Sequence, residues 1–218
     1  MTRAARLACA LIVVSITTLD AQQRTRLFRP EDLGQLEGPD RDAWQRPDQI
    51  MDALGIGDGS AVADLGAGGG WFTVRLARQV GPNGVVYAED IQREMIDAIG
   101  RRALREGLHN VRTILGTAKN PKLENLSLDA VLIVDAYHEI EDPKAILANT
   151  AKGLKPTGVI GVVDFKSDGG GPGPEMDERV DPEKVIEDAR AVGLELRKRE
   201  HFLRYQYLLI FGLPADRQ

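Results

Sequence analysis

The stretch Val62-Ala63-Asp64-Leu65-Gly66-Ala67-Gly68-Gly69-Gly70 decides how the rest of the chain is read. A short apolar run meets an acid, breaks into glycines, and gives way at once to an amphipathic segment. Glycine takes positive φ and lets a ligand approach the backbone with no Cβ in the way. Placed between a strand end and a helix N-terminus, such a turn presents free N–H groups and forms a nucleotide-binding corner. The dinucleotide fingerprint G-x-G-x-x-G needs a third glycine at position 71, where Trp71 stands. The pattern present is Asp-x-Gly-x-Gly-x-Gly, with the acid two residues before the first glycine.

Outward from this loop, strands and helices alternate. Phe72, Leu76 and Val80 recur at helical spacing, and Gly81-Pro82-Asn83-Gly84 is a turn. Residues 85–88 predict a strand ending in Glu89-Asp90. Met95, Ile96, Ile99, Ala103 and Leu104 form one face of the next helix, stopped by Gly107. Residues 111–115 and 128–134 predict the third and fourth strands, the latter running into Asp135-Ala136-Tyr137-His138-Glu139. Asp142-Pro143 and Asp181-Pro182 each open a helix as cap and first residue. Between those helices lies the nearly unbroken apolar run 158–164, which suits a strand buried on both faces of a parallel sheet. The ending departs from this alternation. Runs 194–203 and 205–213 have only Arg204 between them, so they must pair antiparallel. The expected fold class is α/β: a doubly wound, Rossmann-like sheet of seven strands, mostly parallel, with a C-terminal antiparallel hairpin.

The 218 residues carry a formal charge of −5, which leaves no electrostatic footprint for nucleic acid. Arg3 and Arg6 precede an apolar run, residues 7–19, followed by the small Ala21, in the order of a secretory leader. The expectation is a signal peptide or N-terminal anchor over residues 1–21 and a domain exported to the periplasm or beyond. Any membrane contact runs through an uncleaved leader alone. The sole cysteine, Cys9, lies inside that segment, which excludes a disulfide framework or thiolate metal site from the rest. Residues 22–39 read as linker and short turns, 40–213 as the folded domain and 214–218 as a tail.

The order of motifs from residue 40 to 213 resembles the class I S-adenosylmethionine (SAM) methyltransferases. The resemblance implies that Asp64, Gly66, Ala67, Gly68 and Gly70 form the glycine loop against the methionine end of SAM. It implies that Asp90 holds the ribose hydroxyls and that Ile91 packs on adenine. Leu154-Lys155-Pro156-Thr157-Gly158 resembles the family's lead into the fifth strand. Asp135 ends the strand beside which the reactive methyl is placed. Many relatives hold the adenine amino group with an acid after the third strand; here Gly116-Thr117-Ala118 follows, which leaves Thr117 or Asn120 for that contact. Within the class the chain looks most like bacterial methyltransferases with an export signal, for which the family names no acceptor.

Methyl transfer from a sulfonium is a direct displacement, so alignment does most of the work and a base is needed only for a protonated acceptor. His138 is the candidate base, since its ordinary pKa is near neutral and it follows a strand's carboxyl end. Tyr137 and Glu139 flank it and are placed to orient a small-molecule acceptor. Loop packing is the alternative role for His138. Residues 166–180 include Gly169-Gly170-Gly171-Pro172-Gly173-Pro174 and read as a lid over the acceptor or as a surface insertion. Two other functions fit the same residues: a SAM-binding protein without catalysis, and a nucleotide-dependent oxidoreductase, which Trp71 and the terminal hairpin disfavour.

Overall fold

The computed structural model describes residues 27–123, 125, 127–168 and 170–215. The leader expected over residues 1–21 and the last three residues of the expected tail lie outside them. Seven strands form one sheet: β1 (Ala61–Leu65), β2 (Val85–Asp90), β3 (Val111–Leu115), β4 (Leu128–Val134), β5 (Leu154–Phe165), β6 (Glu195–Glu200) and β7 (Gln206–Gly212). Their order is β3-β2-β1-β4-β5-β7-β6, with β7 antiparallel to both its neighbours and every other pair parallel. Helices α1 (Arg41–Gln45), α2 (Pro47–Ala53), α3 (Trp71–Val80), α4 (Arg93–Arg105), α5 (Pro143–Ala151) and α6 (Pro182–Ala191) cover the faces. No helix of the described residues is long and apolar enough to cross a membrane.

Period-two alternation of the strands divides the core into two layers. Val62, Val86, Leu132 and Ile210 pack with Ile50 and Met51 of α2 and Leu76 and Val80 of α3. Ala63, Val131, Ile133 and Leu209 pack with Ile146 and Leu147 of α5 and Val185 and Ile186 of α6 on the other face. Both sides of β4 are buried from Ala130 to Val134, which explains its apolar sequence there. Burying each such Leu or Ile contributes about 1.5–3 kcal/mol.

Two boundaries differ from expectation. The fifth strand begins at Leu154, upstream of the apolar run, because Leu128 pairs with Leu154 and regular pairing resumes only at Ala130 with Val159. Pro156, which has no N–H for a ladder, sits in that irregularity. The terminal hairpin is present, yet its connection is residues 201–205 rather than Arg204 alone. Leu203 is buried there among the α2 and α3 layer, and Lys166 Nζ donates to the Leu203 and Arg204 carbonyls. Part of the expected linker is also organised: Pro30–Glu37 is a 3-10 helix leaning on the carboxyl end of the sheet.

The strand order reverses between β1 and β4, whose following helices lie on opposite faces. The crevice at such a reversal opens above the carboxyl ends of the strands. The glycine loop, Asp90, Asp135 and His138 all belong to that edge.

Candidate active site

A cavity of about 540 Å³ fills this crevice, a size typical of small-ligand sites. Its floor is the glycine loop. Gly66 has φ +71°, and a Cβ there would stand 2.6 Å from the Ala136 Cβ, so the loops after β1 and β4 touch only because this position is glycine. Gly68 has φ +53° and nothing within 4 Å of a Cβ, so its backbone faces open cavity. Gly70, at φ +78°, turns the chain into α3. Asp64 is buried and accepts the Thr73 hydroxyl at 2.6 Å, tying the end of β1 to the first turn of α3. Burial pushes its carboxyl up to about 6, against the lowering effects of Thr73 and the Arg41 charge.

The end of β2 supplies the next wall. Asp90 accepts from Gly68 N and from Gln92 N, each at 2.9 Å, and so holds the glycine loop in place while lining the cavity. Burial raises its carboxyl more than those backbone bonds lower it. Glu89 also borders the cavity, beneath the loop, with Gly66 N 3.4 Å from its carboxylate. Burial and the Asp90 charge push Glu89 up to about 8. Gly116 makes room for it, because a Cβ there would fall 1.7 Å from Glu89 Oε1. Ile91 and Thr117 line the same end, but the Thr117 hydroxyl donates to Asn120 O at 3.2 Å and is spent on its own turn.

Asp90 and Glu89 have separable roles. A hydrogen bond to a charged group contributes about 1.5–3 kcal/mol, and about 1.4 kcal/mol is tenfold in affinity. Asp90→Ala is expected to weaken SAM binding roughly 10- to 100-fold in calorimetry. Glu89→Gln, which keeps the shape beneath the loop, changes it by less than about threefold. The reverse order would place the ribose partner on the other face of β2.

The ends of β4 and β5 face the loop across the cavity. Asp135 has φ +54°, an uncommon conformation for a residue with a Cβ. Its carboxylate accepts from Arg41 Nη2 at 2.8 Å, from Gln45 Nε2 at 2.9 Å and from Gln206 Nε2. Arg41 in turn lies over the Trp71 ring, 4.2 Å from its centroid. Asp135 therefore lines the cavity with its carboxylate committed to holding α1 across the mouth.

His138 stands in a 3-10 turn, Tyr137–Glu139, with Nδ1 3.0 Å from both carboxylate oxygens of Asp164. Asp164, at the end of β5, is fully buried and also accepts the His138 backbone N–H at 3.0 Å. With Nδ1 committed, Nε2 remains, 3.8 Å from Glu139 Oε1. Burial lowers the imidazole pKa, but the hydrogen bond and charge of Asp164, with Glu139 and Asp135 behind it, outweigh this and leave it raised. Asp164 was read in the sequence only as the end of a buried strand; an acid closing an apolar run was its one signal.

Tyr137 corrects the sequence reading. It is 2% exposed, packs in the α5 and α6 layer, and its hydroxyl donates to Asp188 of α6 at 3.3 Å. The turn after β4 sends adjacent side chains to opposite sides, so His138 lines the cavity and Tyr137 enters the core. No orienting or catalytic role at the cavity remains for it.

The outer wall is apolar. Trp44 of α1 packs on Phe165 and Tyr205, with ring centroids 5.9 Å and 6.3 Å away. Pro172 and Pro174 of the glycine-rich segment complete that side, held by Arg179, which donates to the carbonyls of Pro174 and Lys166. Phe28 reaches across the top, donating from its N–H to Glu139 Oε2 and accepting from Gln92 Nε2, each at 3.0 Å.

Comparison with known proteins agrees with this geometry. Residues 62–158 match the family described as a methyltransferase domain. An uncharacterised methyltransferase of Mycobacterium tuberculosis is 36% identical over 118 residues, which is 54% of this chain and 44% of that protein. A ubiquinone/menaquinone biosynthesis C-methyltransferase of Pasteurella multocida is 32% identical over 124 residues, 56% of this chain and 45% of that protein. The match thus spans about half the length of these curated relatives. The crystal structure of a SAM-dependent methyltransferase from Aquifex aeolicus shares the fold, with a TM-score of 0.80 over 85% of this chain and 98% of that one at 24% identity. The glycine loop, the acid closing β2 and the reversed strand β7 belong to one design: residues 62–158 match a methyltransferase domain, and the chain has the Rossmann-like fold that it shares with a SAM-dependent methyltransferase.

Proposed function

We propose that the protein transfers a methyl group from SAM to a small-molecule acceptor whose proton His138 removes. The observation that carries this reading is the Asp164–His138 pair set across one cavity from the glycine loop. The residues suit SAM. Gly68 leaves open space beside backbone, Asp90 borders it, and Ile91 offers an apolar surface at the same end. When bound, SAM supplies an electrophilic methyl group, and the protein's task is alignment and proton removal. Asp164 keeps the neutral imidazole protonated at Nδ1, which leaves the Nε2 lone pair for the acceptor's proton. A base held by a buried acid favours catalysis over SAM binding alone. The quinone-pathway relative lends support to a small organic acceptor.

Calorimetry with SAM and with NAD tests the reading at its base. SAM is expected to bind and NAD to be ignored, and a screen of small acceptors should then release S-adenosylhomocysteine. Binding of NAD without SAM would overturn the proposal in favour of an oxidoreductase.

A further inference from the structure

We infer that the acceptor is an amine, held as a cation, and not a carboxylate, phosphate or phenol; this deepens the reading above and rests on it. The inference comes from the charge and surface of the cavity's acceptor half. Among the described residues lining the cavity, Arg41 is the one guanidinium or ammonium group, and it is bound to Asp135 and stacked on Trp71 at the glycine-loop side. Arg179 comes close from outside, but its guanidinium is turned to the carbonyls of Pro174 and Lys166 and lies 5.2 Å from the Phe165 ring centroid. An anionic acceptor therefore meets no cation aimed at it.

Carboxylates dominate the same half instead. Glu139 lies beside His138 Nε2, and Glu141 and Glu178 stand at the rim. The Trp44 indole, the aromatic surface best suited to a desolvated cation, lines the same cavity.

The chemistry separates the acceptor classes further. A phenol must become an anion to attack, and neighbouring carboxylates oppose that ionisation. An amine enters as an ammonium, gives one proton to His138 Nε2, and attacks the methyl carbon with the freed lone pair. The carbon–sulfur bond breaks with its electrons on sulfur, and the methylated nitrogen is a cation when its fourth bond is made. Positive charge thus stays on the acceptor side at the start and end of the step, where the acids and the indole favour it.

The test uses protein saturated with S-adenosylhomocysteine and three probes of similar size: benzylammonium, benzyl alcohol and benzoate. The cation is expected to bind at least about tenfold more tightly than the alcohol, a difference of about 1.4 kcal/mol, and benzoate more weakly still. The double variant Glu141→Gln, Glu178→Gln is expected to reduce cation binding several-fold while S-adenosylhomocysteine affinity is read in parallel. Benzoate or the alcohol binding as well as the cation, or a cation preference untouched by the double variant, overturns the inference and leaves the proposed function standing. Failure to bind S-adenosylhomocysteine overturns the proposed function itself, and the three probes on the protein alone still decide the charge preference.

Discussion

Replacing His138 by alanine is expected to lower turnover by roughly 10²–10⁴-fold while SAM affinity stays nearly unchanged, the signature of a general base that touches acceptor and not donor. Turnover is read as S-adenosylhomocysteine release with an acceptor that the wild-type protein methylates. The pH profile makes the assignment specific. The imidazole pKa is raised, so its neutral, proton-accepting form predominates only above the ordinary histidine value of about 6.5. The rate should therefore climb with pH along a limb on the alkaline side of that value. Asp164→Asn removes the charge that raises the imidazole, so the limb should move to lower pH as turnover falls. This shift distinguishes His138 from an acceptor amine titrating in the same range, whose own pKa the variant leaves alone. Undiminished turnover in His138→Ala, or a limb that Asp164→Asn does not move, would return the pair to loop packing.

Gly68→Val is expected to abolish SAM binding, by more than about 100-fold or 2.8 kcal/mol, in a protein that still folds. Two effects combine. A valine at φ +53° is strained, at a cost on the order of 1–3 kcal/mol, because a β-branched side chain fits the left-handed region badly. Its methyl groups also enter open cavity, where nothing in the protein lies within 4 Å of the Cβ, so they meet ligand and not core. Gly66→Ala is the contrast: its Cβ collides with Ala136, and the damage appears first as lost stability. Thermal unfolding beside calorimetry separates the two. A Gly68→Val protein that binds SAM normally would mean that the ligand lies elsewhere in the cavity.

Local patterns carried most of the fold. An apolar run, an acid and alternating glycines describe β1 and its loop within ten residues, because turn formation and helix initiation depend on near neighbours. The nearly unbroken apolar run of β5 announced burial on both faces, and two adjacent strand-like runs at the end required a reversed strand. Asp64, Asp90, Ile91 and Thr117 sit around the cavity where motif order places them, although the Thr117 hydroxyl serves its own turn.

What lay beyond local reading was set by pairing between distant segments. Parallel pairing of β4 with β5 brings Asp164 to His138 across 26 residues, and no local pattern encodes that meeting. Glu89 and Gly116 fit each other only because β3 lies beside β2, so a buried acid of β2 is admitted by the missing Cβ of the residue just past β3. Tyr137 and His138 are neighbours in sequence with similar polarity. One short turn after β4 decided which met the cavity and which met Asp188, because side-chain direction there follows backbone torsions and not residue type. The stretch before α1 looked like a polar linker for the same reason. Its 3-10 helix is held by contacts such as Arg102 with Glu37, made to an element far along the chain. The sequence by itself determined the sheet and the loop, since these rest on short-range periodicity and glycine geometry, while the cofactor class came through the resemblance of the loop and motif order to a known family. The tertiary structure alone decided the partner of His138, the cavity's walls and the charges that line it, since these depend on which strand ends lie side by side.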